Sequence, residues 1–223
     1  MPSLIELVDA LPAELARQAF THSSWTEQRS DAYERLAFLG DSVLGLAITT
    51  HLYPRLNAER YGAGRLTQIR AQTVSGRACR DVAERLGFPE RLRACAPKGV
   101  GRNVETLLDT ERVLASVMEA AIGACYLNVG YETTAAAVVE VFQPEVETAL
   151  QGSVDFKSML QEHLARDGEI VSYEVTSEDG PPHDRVFAVE ARVGEKSIGE
   201  GTGKAKKDAE QEAAQAALTK LEG

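Results

Sequence analysis

Cysteine is scarce in this chain: Cys79, Cys95 and Cys125 are the only three among 223 residues, odd in number and without a CxxC pair. That excludes a disulfide framework, argues against a structural zinc site, and fits a reduced, cytoplasmic setting. There is no run of 18 apolar residues, and the opening Met1-Pro2-Ser3-Leu4-Ile5-Glu6 has no basic segment leading into an apolar one. Neither membrane spanning nor secretion is therefore expected. Excess positive charge is missing too, since 24 Lys and Arg against 34 Asp and Glu leave a net charge of −10. This argues against a generally basic nucleic-acid-binding surface, although phosphate contacts need only a local cluster. With 43% hydrophobic and 26% charged residues the composition is that of an ordinary soluble protein. A chain of this length holds one large domain, or a medium domain with a small one.

What is present points to two domains. From Ile5 to about Leu150, Ala, Leu, Arg and Glu dominate and apolar residues recur at three and four. The spacing predicts helices over Leu4–Asp9, Ala13–Phe20, Tyr33–Tyr53, Ala63–Leu86, Pro89–Leu92, Val104–Asn128 and Glu132–Gln151. The third and sixth are apolar nearly all round, which places them at the centre of a bundle. Cys95–Asn103, with Pro97, Gly99 and Gly101, reads as a loop. At Gln151-Gly152-Ser153-Val154 the character changes. One amphipathic helix, Asp155–Asp167, precedes runs alternating with a period of two at Val171–Val175, Val186–Val193 and Lys196–Glu200. A last helix, Ala205–Leu221, carries Ala209, Ala213, Ala217 and Leu221 at spacing four. The expected fold is multidomain: an all-α bundle over residues 1–150, then a small α+β domain of order α-β-β-β-α over residues 154–223.

The chemistry concentrates in two places. In Tyr33-Glu34-Arg35-Leu36-Ala37-Phe38-Leu39-Gly40-Asp41-Ser42, Glu34 and Asp41 are two helical turns apart and share a face, with Ala37 between them. Acids set into a buried helix are how a protein presents carboxylates to a hard divalent cation. Glu119 lies in the other apolar helix, one turn after Ser116 on the same face. A surface acid at a helix edge is the plainer reading of Glu119, and its apolar neighbours weigh against it. Thr21-His22-Ser23-Ser24 lacks a glycine elbow or an ordered triad, so His22 reads as a structural residue at a helix end. Tyr61-Gly62-Ala63-Gly64-Arg65-Leu66 lacks the pattern of a phosphate loop. The second place is Gly201-Thr202-Gly203-Lys204-Ala205-Lys206-Lys207, which opens the last helix. Lysines beside the free N–H groups of a helix N-terminus make an anion site suited to phosphates, against the plainer reading of a solvated turn.

Glu34 to Ser42 resembles the signature of the ribonuclease III family. Gly64-Arg65-Leu66-Thr67 and Met118-Glu119-Ala120-Ala121-Ile122-Gly123-Ala124 stand where that family has its other motifs, and the C-terminal part is similar to a double-stranded-RNA-binding domain. The resemblance implies a homodimeric, cytoplasmic endoribonuclease that hydrolyses double-stranded RNA with Mg²⁺, or Mn²⁺ as a substitute, in the processing of rRNA and other structured precursors. By the same resemblance Asp41 and Glu119 are metal ligands, Glu34 supports them, and Phe38 packs into the partner subunit. Gln161, Glu162 and His183 match minor-groove contacts, and Lys204, Lys206 and Lys207 match phosphate contacts. The chain departs from the family at Ala37, Ser116 and Ala63, where acidic residues are expected. Ser116 then offers only a neutral oxygen, directly or through water, and weaker metal affinity with slower cleavage is the expectation. The competing reading is a catalytically silent double-stranded-RNA-binding dimer.

Overall fold

The structure is a computed structural model; it describes residues 1–58, 61–99, 101–152, 156–181 and 185–221, without the side chains of 101–103 and 152. The chain divides into two compact units, Met1–Ser153 and Val154–Gly223.

The first unit is a helical bundle of α1 (Leu4–Asp9), α2 (Ala13–Ala19), α3 (Glu34–Leu52), α4 (Ala63–Thr73), α5 (Gly76–Arg85), α6 (Phe88–Cys95), α7 (Gly101–Leu108), α8 (Glu111–Val129) and α9 (Tyr131–Gly152). Short 3-10 turns at Ser23–Trp25 and Arg29–Asp31 join α2 to α3. The helices α3 and α8 form its centre and pack on each other more extensively than any other pair. Two glycines allow this. A Cβ on Gly40 would lie 1.7 Å from the carbonyl oxygen of Glu119, and one on Gly123 would lie 2.3 Å from that of Leu36. No larger residue fits either position, so the two backbones touch. Around that crossing Leu44, Ile48, Leu114, Val117, Met118 and Ile122 are almost wholly buried. Among the described residues α8 alone has the length and apolarity of a membrane-crossing helix, and most of it is buried within the bundle.

Local chemistry divides two segments that periodicity alone joins. The stretch 63–86 breaks at Ser75, whose hydroxyl accepts the Ala78 N–H at 3.2 Å and starts α5 afresh. The stretch 104–128 breaks at Asp109 and Thr110, Thr110 taking extended dihedrals before α8. The loop expected over 95–103 is shorter, because α7 already begins at Gly101.

The second unit is a three-stranded antiparallel sheet of order β1-β2-β3, with β1 Val171–Asp179, β2 Val186–Val193 and β3 Lys196–Gly203. It is flanked by α10 (Phe156–Ala165) and α11 (Lys206–Leu221). Both β1 and β3 run past the alternating segments read from sequence. The close packing of α11 is a matter of small residues on both sides. Gly199, Gly201 and Gly203 alternate on β3, and a Cβ on Gly201 would lie 2.2 Å from the Ala213 nitrogen. They face the buried stripe Ala209, Ala213 and Ala217. Glu212 pins the join, its Oε2 accepting from the Thr202 N–H at 2.6 Å and the Thr202 hydroxyl at 3.2 Å.

Candidate active site and nucleic-acid interface

The glycine crossing decides which side chains meet in the first unit. Asp41 follows Gly40 directly, and Gly40 lies against the Glu119 backbone. Glu119 is half-buried and Asp41 exposed. Burial raises the Glu119 carboxyl from 4.5 to about 7, and the nearby Asp41 charge adds to the rise. Ser116, one turn earlier on α8, is half-buried. Beneath the pair, Cys79 is fully buried. Its thiol is pushed far up by burial and then by the charges of Glu119, Asp41 and Glu145, as in an inert structural cysteine.

On α3 the sequence order sorts three environments onto one helix. Glu34 and Asp41 lie exposed along one edge. Ala37 turns inward, only 6% exposed, and belongs to the bundle core. Phe38 turns outward and is 81% exposed, with Leu46 and, on α8, Leu127 also more than half exposed. The acid edge therefore runs along the border between the core and an apolar outer face. Ala63 is not at this edge. It lines a groove with Thr49, Leu52, Tyr53, Leu66, Thr67 and Arg70 at the far end of α3. Thr49 is about 12 Å along the helix axis from Asp41.

His22 serves structure, as its surroundings in the sequence suggest. Its Nδ1 accepts the Ser24 N–H at 3.1 Å and caps the 3-10 turn. Its ring leans on Trp25 and Tyr33. Burial lowers its pKa, against the opposing charge of Glu34.

The residues fit one hard divalent cation. Among the described residues no three of His, Cys, Asp and Glu gather into a cage. However, such an ion needs only one or two carboxylates when waters and substrate phosphate complete its shell. The Asp41–Glu119 pair would supply these, and a cation between them would offset the burial and the Asp41 charge that raise the Glu119 carboxyl. A second ion finds no further carboxylate at Ala37 or Ser116.

In the second unit Lys204, Lys206 and Lys207 are all exposed where β3 passes into α11, the latter two in its first turn. Lys206 Nζ lies 5.5 Å from the Phe187 ring centroid, which steadies its stem. Gln161 and Glu162 are exposed on α10. His183, with Pro182 and Asp184, lies outside the described residues. Lys157 is differently committed. It pairs with Glu210 on α11 and stands 4.6 Å over the Tyr173 ring, so it locks α10 to the rest of the unit. Nothing in the local sequence distinguishes this lysine from the exposed ones.

Comparison with known proteins assigns both units. Residues 12–145 match the family described as Ribonuclease-III-like, and residues 156–221 match the double-stranded RNA binding motif. The chain is 36% identical over 213 residues to Ribonuclease 3 of Natranaerobius thermophilus, covering 93% of this chain and 90% of that protein. It is 39% identical over 215 residues to Ribonuclease 3 of Bacillus licheniformis, covering 94% of this chain and 84% of that protein. Among solved structures it is similar to the nuclease domain of ribonuclease III from Campylobacter jejuni, in a study of flexibility in the region involved in that domain's dimer formation. That likeness has a TM-score of 0.53 at 25% identity, over 64% of this chain and 95% of the other. A helical nuclease domain with a double-stranded-RNA-binding domain behind it, matched over nearly the whole length of such relatives, means that the chain belongs to the ribonuclease III family.

Proposed function

We propose that this protein is a double-strand-specific endoribonuclease that works as a cytoplasmic homodimer on rRNA precursors and other structured RNA. The observation that carries the reading is the union, on one chain, of a Ribonuclease-III-like unit whose α3–α8 crossing pairs Asp41 with Glu119 and a double-stranded-RNA-binding motif. The silent-binder alternative gains no support over it, because the relatives matched along nearly the whole chain carry the enzyme's name.

Enzymes of this family depend on a metal, and here Mg²⁺, with Mn²⁺ as a substitute, is the cation proposed. Asp41 and Glu119 would hold it, with Ser116 contributing through water. When bound it supplies Lewis-acid polarisation of the phosphate and a more acidic attacking water. The chain's own residues do the rest. Glu119 must lose its proton before it can act as a ligand, and Asp41 beside it keeps the edge anionic. Glu34, on the same edge, supports the pair by holding water near the phosphate. Lys204, Lys206 and Lys207 take backbone phosphates across the narrow major groove, while Gln161, Glu162 and His183 approach the minor groove and its 2′-hydroxyls. Water adds to phosphorus and the bond to the 3′ oxygen breaks, leaving 5′-phosphate and 3′-hydroxyl ends. Phe38, Leu46 and Leu127 form the apolar face that a second copy would cover.

The test is incubation with a long RNA duplex across a Mg²⁺ and Mn²⁺ series. Cleavage of duplex but not of single strands is expected, and Glu119→Ala should abolish it. Ala37→Glu with Ser116→Asp should raise cleavage at low Mg²⁺. Duplex binding with no cleavage at any metal concentration would establish the silent binder instead.

A further inference from the structure

The first turn of α8 carries a cation that neither the acid pair nor the lysine cluster explains. Arg112 is exposed, and among the described residues it forms no salt bridge. A cation at that end of a helix opposes the macrodipole, at a cost of about 0.3–1 kcal/mol. Its own helix therefore supplies no reason for it.

Its position supplies one. At 100° per residue, positions 112, 116 and 119 fall within an arc of about 60° on α8. Arg112 thus shares a face with Ser116 and Glu119. Helical side chains lean towards the N-terminus, which carries this guanidinium away from Glu119. The pKa of the Tyr33 hydroxyl, directly before α3, is raised by burial first and then by the Glu34 charge, with the Arg112 charge opposing, so Glu34 and Arg112 both lie near Tyr33. About 10 Å of helix axis separates Arg112 from Glu119, and the lean of the side chain adds to this. At that separation one phosphate cannot touch both the guanidinium and the acid pair.

We propose that Arg112 is a substrate-positioning residue that grips a phosphate flanking the scissile one, holding the RNA backbone in register with Asp41 and Glu119. This rests on the nuclease reading above. The charge matters more here than usual, because Ala37 and Ser116 leave room for fewer metal cations to counter the RNA.

The experiment uses the full-length protein and a defined RNA hairpin. Arg112→Ala should raise KM on the order of fivefold, the strength of one solvent-exposed charge contact. It should leave kcat within about twofold and lower the slope of log KM against log salt by about one. Arg112→Lys keeps the charge without the planar fork and should restore the salt slope. Unchanged KM and slope in Arg112→Ala overturn the proposal, as does a slope that lysine does not restore. An unfolding midpoint followed through Trp25 that matches the wild type excludes a fold defect. If the wild type cleaves nothing, the nuclease reading fails by itself. Arg112 is then judged by the same salt slope in equilibrium binding of the hairpin, where no change on Arg112→Ala again overturns it.

Discussion

Glu119→Gln removes a charge that the metal-free protein holds at a cost, and the cost depends on pH. The folded-state pKa of about 7 stands above the ordinary 4.5, chiefly through burial and then through Asp41. A carboxyl raised in this way binds its proton more tightly folded than unfolded. Its stabilising contribution is complete below pH 4.5 and is lost as pH rises through about 7. At about 1.4 kcal/mol per pKa unit the full shift corresponds to about 3 kcal/mol. Glu119 is only half-buried, and its remaining contact with water reduces this to on the order of 1–2 kcal/mol. Glutamine stays neutral throughout. In EDTA at pH 8, Glu119→Gln should therefore be more stable than wild type by that amount, and the gap should close towards pH 5. The single tryptophan, Trp25, packs on the core of the helical unit, so its fluorescence in urea reports that unit alone. Adding Mg²⁺ should reverse the order, because only the wild type gains binding free energy on folding. Asp41→Asn should remove the smaller part of the pH dependence. A gap that is constant with pH, or that widens towards acid, would refute this reasoning.

Three further outcomes follow from the packing. Phe38→Asp places a charge on the exposed apolar face and should weaken self-association by about 2 kcal/mol or more, read as monomer by light scattering after gel filtration. Lys206→Ala with Lys207→Ala should weaken duplex RNA binding similarly for unrelated sequences and lower its salt slope by about two. Gly201→Ala drives a methyl into the Ala213 and Ala209 backbone. It should destabilise the second unit by about 1–3 kcal/mol and weaken RNA binding, while the Trp25 transition in the first unit stays where it is.

Much of the fold was legible because the periodicities were strong. The helices α3 and α8 are apolar nearly all round, which suits the centre of a bundle. The strand β2 alternates from Val189 to Val193, and its range, Val186–Val193, is the one the sequence predicts. The misses share a cause. Segments 63–86 and 104–128 keep a helical period across their breaks, so only the side-chain cap at Ser75 and the extended backbone at Thr110 reveal the ends. Strand β3 runs to Gly203 because its glycines fit under α11, a contact that no local pattern announces.

The site divides along the same line. Sequence by itself determined what is local: Glu34 and Asp41 on one edge, Ser116 one turn before Glu119, and Lys204 just ahead of Lys206 and Lys207 in the first turn of α11. Spacing along a helix is a local property, and the 3.6-residue repeat converts it directly into a face. Only the tertiary structure decided what lies between helices. It brings Asp41 to Glu119 because Gly40 and Gly123 let two backbones touch. It turns Ala37 into the core and Phe38 out of it, sends Ala63 to the far end of α3, and brings Arg112 of α8 as well as Glu34 near Tyr33. Such juxtapositions depend on how side chains from distant parts of the chain fill one volume, and no short stretch of sequence carries that information.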